Sequence, residues 1–68
     1  MKIKITGDRG KQFDISIIVE VIDKHEYGYT VRHTDGKIAG IGLTGGTYHR
    51  MVGSKFVTLM KDCIVEKA

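Results

Sequence analysis

The stretch GIGLTGG, residues 40–46, holds the residues whose types and spacing suggest chemistry most directly. Gly40, Gly42 and Gly45 follow the pattern G-x-G-x-x-G, which in dinucleotide-binding folds lets the backbone approach a pyrophosphate at the start of a helix. Asp62 lies beyond the next apolar run, near the distance at which such folds place a ribose-binding acid. The pattern is specific only where a strand precedes it and a helix of several turns follows it.

The sequence around the motif leaves no room for that helix. Only residues 46–55 separate the motif from the next strand-like run, Phe56–Met60, and glycine and serine interrupt them. The segments before the motif alternate like antiparallel strands, so no second βαβ unit completes a cofactor site. A dinucleotide-binding fold is therefore not predicted.

Two interpretations of the glycines remain open. Glycine in a strand marks a bulge, a tight barrel corner or the close approach of another backbone, and the pair Gly45-Gly46 marks a turn. Alternatively, successive backbone N–H groups form a concave nest for a phosphate or another anion. In that interpretation threonine hydroxyls contact the anion, Arg50 supplies charge and Tyr48 packs against a base or sugar. The predicted ligand-binding loop consists of Gly42, Thr44, Gly45, Gly46, Thr47, Tyr48, His49 and Arg50.

The charge distribution favours an anionic partner. The chain has 11 Lys and Arg against 8 Asp and Glu, and the positive surplus lies in residues 1–11 and 24–55, whereas residues 12–23 are acidic. A basic footprint of this kind is typical of nucleic-acid or nucleotide recognition, although scattered lysines are also common on solvated surfaces. Arg32, His33 and Lys37 extend the predicted site if the glycine loop and the hairpin share one side, which the sequence leaves open.

Catalytic and metal chemistry find little support. Cys63 lies in an apolar run and is expected to be buried as a small hydrophobic residue, and a lone thiol fits a reducing, cytoplasmic setting. His33 and His49 have no orienting acid and are expected at the surface. The three histidines and the cysteine lack the close pairs that structural zinc sites use. The sequence predicts no enzyme, no metal and no cofactor.

Period-two alternation of apolar residues predicts strands over most of the chain. Ile3 and Ile5 belong to a short first strand, and the longest strand starts at Phe13, with its odd positions apolar up to Val21. Ile18 and Ile22 interrupt the polar face of that strand. The segment Thr34-Asp35-Gly36 predicts a three-residue hairpin loop that pairs Val31 with Ala39 and Tyr29 with Ile41. Residues 45–54 show no clean period and predict a loop with a short helical turn near residues 47–52. Phe13 and Phe56 are expected in the core.

One segment resembles a known family. IGLTGGT, residues 41–47, is similar to the I-G-L-T-x-G-T stretch of the trp RNA-binding attenuation protein, a small all-β protein that forms rings and binds tryptophan and RNA. The resemblance implies ligand-binding roles for Gly42, Thr44 and Thr47 and an oligomeric ring. This chain departs from the family at Gly45, where the family has arginine, and lacks its RNA-contacting Lys and Arg after Phe56, so the sequence does not assign the chain to that family.

Residues 1–68 are thus predicted to form one all-β domain, a small antiparallel barrel or sandwich of SH3-like size with five strands or nearly so. The favoured function is a non-enzymatic binding module that recognises nucleic acid or nucleotide phosphate through the glycine-rich loop and the basic hairpin. The alternative is a small protein-interaction or inhibitor module, such as phages and other accessory genomes encode, using a strand edge or the apolar face of residues 18–22. A core of this size rarely supplies more than about 3–5 kcal/mol, so we expect a homo-oligomer. No apolar run is long enough to cross a membrane.

Overall fold

The alternating sequence forms six antiparallel strands in the computed structural model, which describes residues 1–10 and 12–68, with the side chains of residues 12–14 outside the description. The expectation that Phe13 is a core residue falls among those side chains. Each strand pairs with its neighbours in the chain, and the first pairs with the last, so the sheet closes into a barrel. The strands are β1 Lys2–Arg9, β2 Gln12–Lys24, β3 Gly28–Arg32, β4 Ile38–Gly42, β5 Gly45–Val52 and β6 Lys55–Lys67. The predicted all-β, antiparallel barrel is confirmed, with six strands instead of five.

The core is filled by alternate side chains from the strands. Ile3 and Ile5 of β1 and Val31 of β3 are almost completely buried, as the period-two pattern predicts. Tyr48 is the largest fully buried side chain. The full set of buried apolar residues is Ile3, Ile5, Val19, Val31, Ala39, Ile41, Tyr48, Met60 and Cys63.

The β3–β4 hairpin has the predicted register. Val31 pairs with Ala39 and Tyr29 with Ile41. The backbone N–H of His33 donates to the carbonyl oxygen of Lys37 at 2.8 Å, which closes a three-residue loop around Gly36. Gly36 has a φ of 86°, the left-handed conformation that such a loop requires.

The helical turn expected near residues 47–52 is wrong, because these residues belong to β5. The strand is hard to recognise in the sequence because its pattern is inverted near its end. Arg50 pairs with the buried Ala39 and points inward, whereas Met51 is on the outer face and 54% exposed. A polar residue inside and an apolar residue outside remove the period-two signal.

The placement of Phe56 in the core is also wrong, and a β-bulge explains why. Tyr48 pairs with Met60 but its neighbour His49 pairs with Thr58, so Leu59 is one extra residue in β6. One extra residue reverses the faces of the residues beyond it. Phe56 therefore lies outside and is 67% exposed.

The two ends of the barrel differ in which connections they hold. In an antiparallel barrel that follows chain order, alternate connections lie at the same end. The connections β1–β2, β3–β4 and β5–β6 share one end, here called the hairpin end. The connections β2–β3 and β4–β5 lie at the other, here called the terminal end, together with the strand ends at Lys2 and Lys67. In the described part of the chain no helix is long and apolar enough to cross a bilayer.

Candidate functional site

The predicted loop from Gly42 to Arg50 is divided between the two ends of the barrel. Gly42, Thr44, Gly45 and Gly46 surround the β4–β5 turn at the terminal end, with Thr44 exposed in the turn itself. Arg50 lies four residues further along β5, about 13 Å away at roughly 3.3 Å per residue, towards the hairpin end. The glycines and the arginine therefore do not form one site.

The close approach of backbones explains the glycines at this turn. Gly45 has a φ of 113°, and a Cβ atom there would overlap the carbonyl oxygen of Cys63. At Gly42 a Cβ atom would lie 2.7 Å from the carbonyl oxygen of Gly45. Side chains at these positions would push β4 and β6 away from β5, so both glycines serve the packing of the barrel.

Two of the predicted ligand contacts are core residues. Tyr48 is fully buried, so its ring has no face available to a base. The expectation that His33 lies at the surface is wrong, since only 7% of it is exposed, and its Nδ1 shares a hydrogen bond of 2.8 Å with the Tyr48 hydroxyl. Burial lowers the pKa of His33 and raises the pKa of Tyr48 to about 12. The pair therefore closes the core below the hairpin end as two neutral groups.

Arg50 and Asp35 form an ion pair at the hairpin end. The Nη2 atom of Arg50 donates to Oδ2 of Asp35, while Oδ1 of Asp35 accepts the backbone N–H of Lys37 at 2.9 Å. That backbone hydrogen bond, followed by the side-chain bond from Arg50, lowers the pKa of Asp35. The ion pair offsets the charge of Arg50, so Arg50 is not a free cation for a ligand.

Exposed cations surround this pair. Arg32 ends β3 and donates from Nη1 to the carbonyl oxygen of Gly36 at 3.4 Å, and Lys37 begins the return strand. An open depression of about 460 Å³ lies between Arg32, Lys37 and Arg50. None of the exposed cations at this end has an ion pair among the described residues. They are Arg9, Arg32, Lys37 and Lys55.

The terminal end has no such surplus. Its basic side chains are mixed with acidic ones on the same and neighbouring strands, and Asp23 also lies 3.6 Å from the ring of His25. The charged residues there are Lys2, Lys24 and Lys67 with Asp23, Glu26 and Glu66. Glu20 lies further along β2, paired with both Lys2 and Arg32. Among the described side chains the hairpin end holds Arg9, Arg32, Lys37, Arg50 and Lys55 against Asp8 and Asp35, so it has the positive surplus.

Sequence reasoning missed two parts of the surface that the fold brings together. Arg9 and Lys55 belong to the basic segments but come to the hairpin end only through the alternation of the strands. Phe56 contacts His49 on the outer face, with ring centroids 4.7 Å apart in an edge-to-face arrangement. Thr47 is also exposed on β5. In the sequence, the outer face of β5 is indicated only by the two-residue spacing of His49 and Met51.

Reactive side chains do not gather in the described structure. Cys63 is buried, and burial raises the pKa of its thiol, in agreement with the expected role as a small core residue. Among the described residues, no group of three or more His, Cys, Asp or Glu side chains could hold a metal ion. The chain matches no protein-family model, and no curated protein and no solved structure is detectably similar to it.

Proposed function

We propose that this barrel is a non-enzymatic binding module whose hairpin end recognises the phosphates of a nucleic acid or nucleotide. The observation that carries the proposal is the gathering of Arg9, Arg32, Lys37 and Lys55 at one end by the antiparallel strand order. Exposed Lys and Arg side chains attract phosphate at long range and release counterions on contact. Gly45 and Gly46 of the β4–β5 turn are not part of the proposed phosphate-contact surface.

The arrangement of the cations favours an extended ligand. They belong to three separate connections instead of converging in an enclosed pocket, and Arg32 and Lys37 line an open depression. The neutral pair His33 and Tyr48 lies beneath and adds no charge of its own to the barrel mouth. A chain of phosphates can contact several such cations at once, and each contact adds to affinity and to salt dependence.

The test is a titration of a labelled short oligonucleotide at two salt concentrations, about 50 mM and about 200 mM. Replacing Arg32 and Lys37 together by Gln should lower the affinity at least about tenfold and flatten the salt dependence. Replacing Lys2 and Lys67 by Gln at the terminal end is the matched control and should change little. Absence of binding at the lower salt, or equal losses in both double variants, would contradict the proposal.

A second candidate function, docking of a partner strand, is favoured by an open edge in β2. The backbone N–H of Val21 donates to the carbonyl oxygen of Met1 at 2.8 Å. In β2, therefore, the backbone N–H and C=O groups of the odd residues bond to β1, and those of the even residues point towards β3. Glu20 pairs with Arg32, but β3 ends there, and Ser16 and Ile18 have no ladder partner on that side among the described residues. An unpaired edge of this kind is a template for strand addition.

A second copy of this chain is the partner that this edge fits best, because two antiparallel β2 edges are self-complementary. Ile18 is 57% exposed beside the edge and would be covered by the pairing. Light scattering over a concentration series should show self-association that Ile18→Lys abolishes. The control Ile64→Lys alters an equally exposed isoleucine on a strand paired on both sides and should leave association unchanged. A monomer at every concentration would contradict this candidate.

A further inference from the structure

The outer face of β3 and β4 carries three glycines, here called the glycine floor. Gly28 pairs with Gly42, and Gly40 lies between Thr30 and His49 in the adjoining pairs. Because side chains alternate between the faces of a sheet, these glycines place no side chain of their own on that face. The result is an open groove of about 470 Å³ across the two hairpins. The ring of His49 lies close to Gly40, with Nε2 3.2 Å from the position that a Cβ atom would take.

Two exposed aromatic rings lie beside this face. Tyr27 lines the groove and is 84% exposed. Phe56 is 67% exposed and lies beyond the groove, where it packs edge-to-face on His49. His25 also lines the groove, and its Nε2 lies 2.6 Å from the hydroxyl oxygen of Thr30. Flat rings, ring nitrogens and bare backbone suit a planar ligand with polar edges better than an aliphatic one.

The groove is continuous with the basic hairpin end. A smaller hollow shares Gly40 and His49 with the groove, and it shares Ile38 and Met51 with the depression beside Arg32 and Lys37. A ligand that lies along this face therefore passes from the cations, over the exposed side chains of Ile38 and Met51, to the aromatic rings. Cations followed by exposed aromatic rings are the arrangement used to bind single-stranded nucleic acids.

We infer that the outer face of β3, β4, β5 and the start of β6 binds the unpaired bases of a single-stranded nucleic acid whose phosphates contact the hairpin end. Phe56 and Tyr27 are the stacking residues, and the glycine floor lets bases approach the sheet. A duplex hides the faces of its bases by stacking, so it can use the cations but not the rings. The inference rests on the proposed phosphate-binding function and names the class of nucleic acid.

The experiment compares three probes by fluorescence anisotropy or competition: a labelled single strand, a duplex of the same length, and inorganic polyphosphate, which has charge but no bases. The single strand should bind the wild type most tightly. Phe56→Leu should weaken single-strand binding about fivefold or more and leave polyphosphate affinity unchanged, because leucine keeps apolar area but loses the ring. Phe56→Trp should restore binding, and Tyr27→Ser should weaken it independently.

The outcomes separate this inference from the proposal on which it rests. Ile64→Ala, an exposed apolar residue away from the groove, should bind like the wild type. Equal affinities for all three probes, with no effect of Phe56→Leu or Tyr27→Ser, would overturn base recognition and leave phosphate binding standing. Failure of all three probes to bind at low salt would overturn both.

Discussion

The Nδ1 atom of His33 and the hydroxyl oxygen of Tyr48 lie 2.8 Å apart inside the barrel, in a contact between residues 15 positions apart in the chain. Their rings are tilted at 54° with centroids 5.5 Å apart. This buried hydrogen bond joins the end of β3 to the middle of β5, just beneath the cations of the hairpin end. It therefore supports the surface that we propose to bind phosphate.

Loss of the Tyr48 hydroxyl should destabilise the fold. Tyr48→Phe leaves a buried imidazole nitrogen without its partner, which costs about 1–3 kcal/mol in the free energy of unfolding. Urea denaturation measures the change. Tyr27→Phe removes a hydroxyl from an exposed ring and is the matched control, with an expected change near zero. Equal stability of Tyr48→Phe and the wild type would show that the bond adds nothing.

Stability should decline below neutral pH because of His33. Burial lowers the pKa of the folded His33 below its ordinary value of 6.5, so the unfolded chain binds the proton more readily. The stabilisation that the fold gains from neutral His33 is fully present above a pH of about 6.5 and is lost as the pH falls through the lowered pKa of the folded state. The negative charge of Asp35 opposes the lowering of the His33 pKa. The lowered pKa of Asp35 itself affects the stability of the fold only at more acid pH.

The measurement for His33 is the free energy of unfolding between about pH 7.5 and about pH 5, a range that extends further below the ordinary histidine pKa than above it because the pKa of the folded state is lowered. His49→Gln should retain the decline, since His49 lies on the outer face. His33→Gln should remove it. A decline of the same size in both variants would assign the pH dependence to other groups.

Two of the glycines with positive φ, Gly36 and Gly45, should respond differently to substitution. A Cβ atom at Gly36 meets nothing within 4 Å, so Gly36→Val should cost only the backbone strain, about 1 kcal/mol or more. Gly45→Ala adds an overlap with the carbonyl oxygen of Cys63 and should cost more. Gly36→Asn, which tolerates the left-handed conformation, should be milder than Gly36→Val. Thermal unfolding that ranks Gly36→Val above Gly45→Ala in damage would contradict this description of the turns.

Removal of the acid at the hairpin end should strengthen anion binding. Asp35→Asn keeps an oxygen that can accept the backbone N–H of Lys37 but releases Arg50 from its ion pair. The affinity for an oligonucleotide should rise about fivefold, equivalent to roughly 1 kcal/mol for one unit charge at close range in water. Glu26→Gln removes the same charge at the terminal end and should have no effect. An unchanged affinity in Asp35→Asn would place the ligand elsewhere.

The sequence predicted the architecture better than the site. Alternation identified most of the strands, and the Asp35-Gly36 signal identified the hairpin and its register, because local turn chemistry and pattern determine both. The local pattern is misleading at β5, where Arg50 lies on the inner face and pairs with Asp35, and at Phe56, where the bulge at Leu59 reverses the strand face. Both depend on a partner strand that a local pattern does not contain.

The candidate site was predicted only in part for a related reason. The sequence showed that the chain has a basic surplus near the hairpin, but neighbours in sequence are not neighbours at one end of a barrel. Gly45 and Arg50 belong to one strand but lie towards opposite ends of the barrel. Arg9 and Lys55 lie far apart in the chain but share the hairpin end. The strand order is needed to see this.

The most direct test of the account is an amide-resolved NMR titration of the isotope-labelled wild-type chain with a short single-stranded oligonucleotide at low salt. The account predicts chemical-shift changes at the hairpin end, at Arg9, at residues 32–38 and at residues 53–55, which fade as salt is added, together with changes along the groove at residues 27–30 and 40–42. Changes concentrated at the β4–β5 turn around Gly45, or no changes at all, would contradict it.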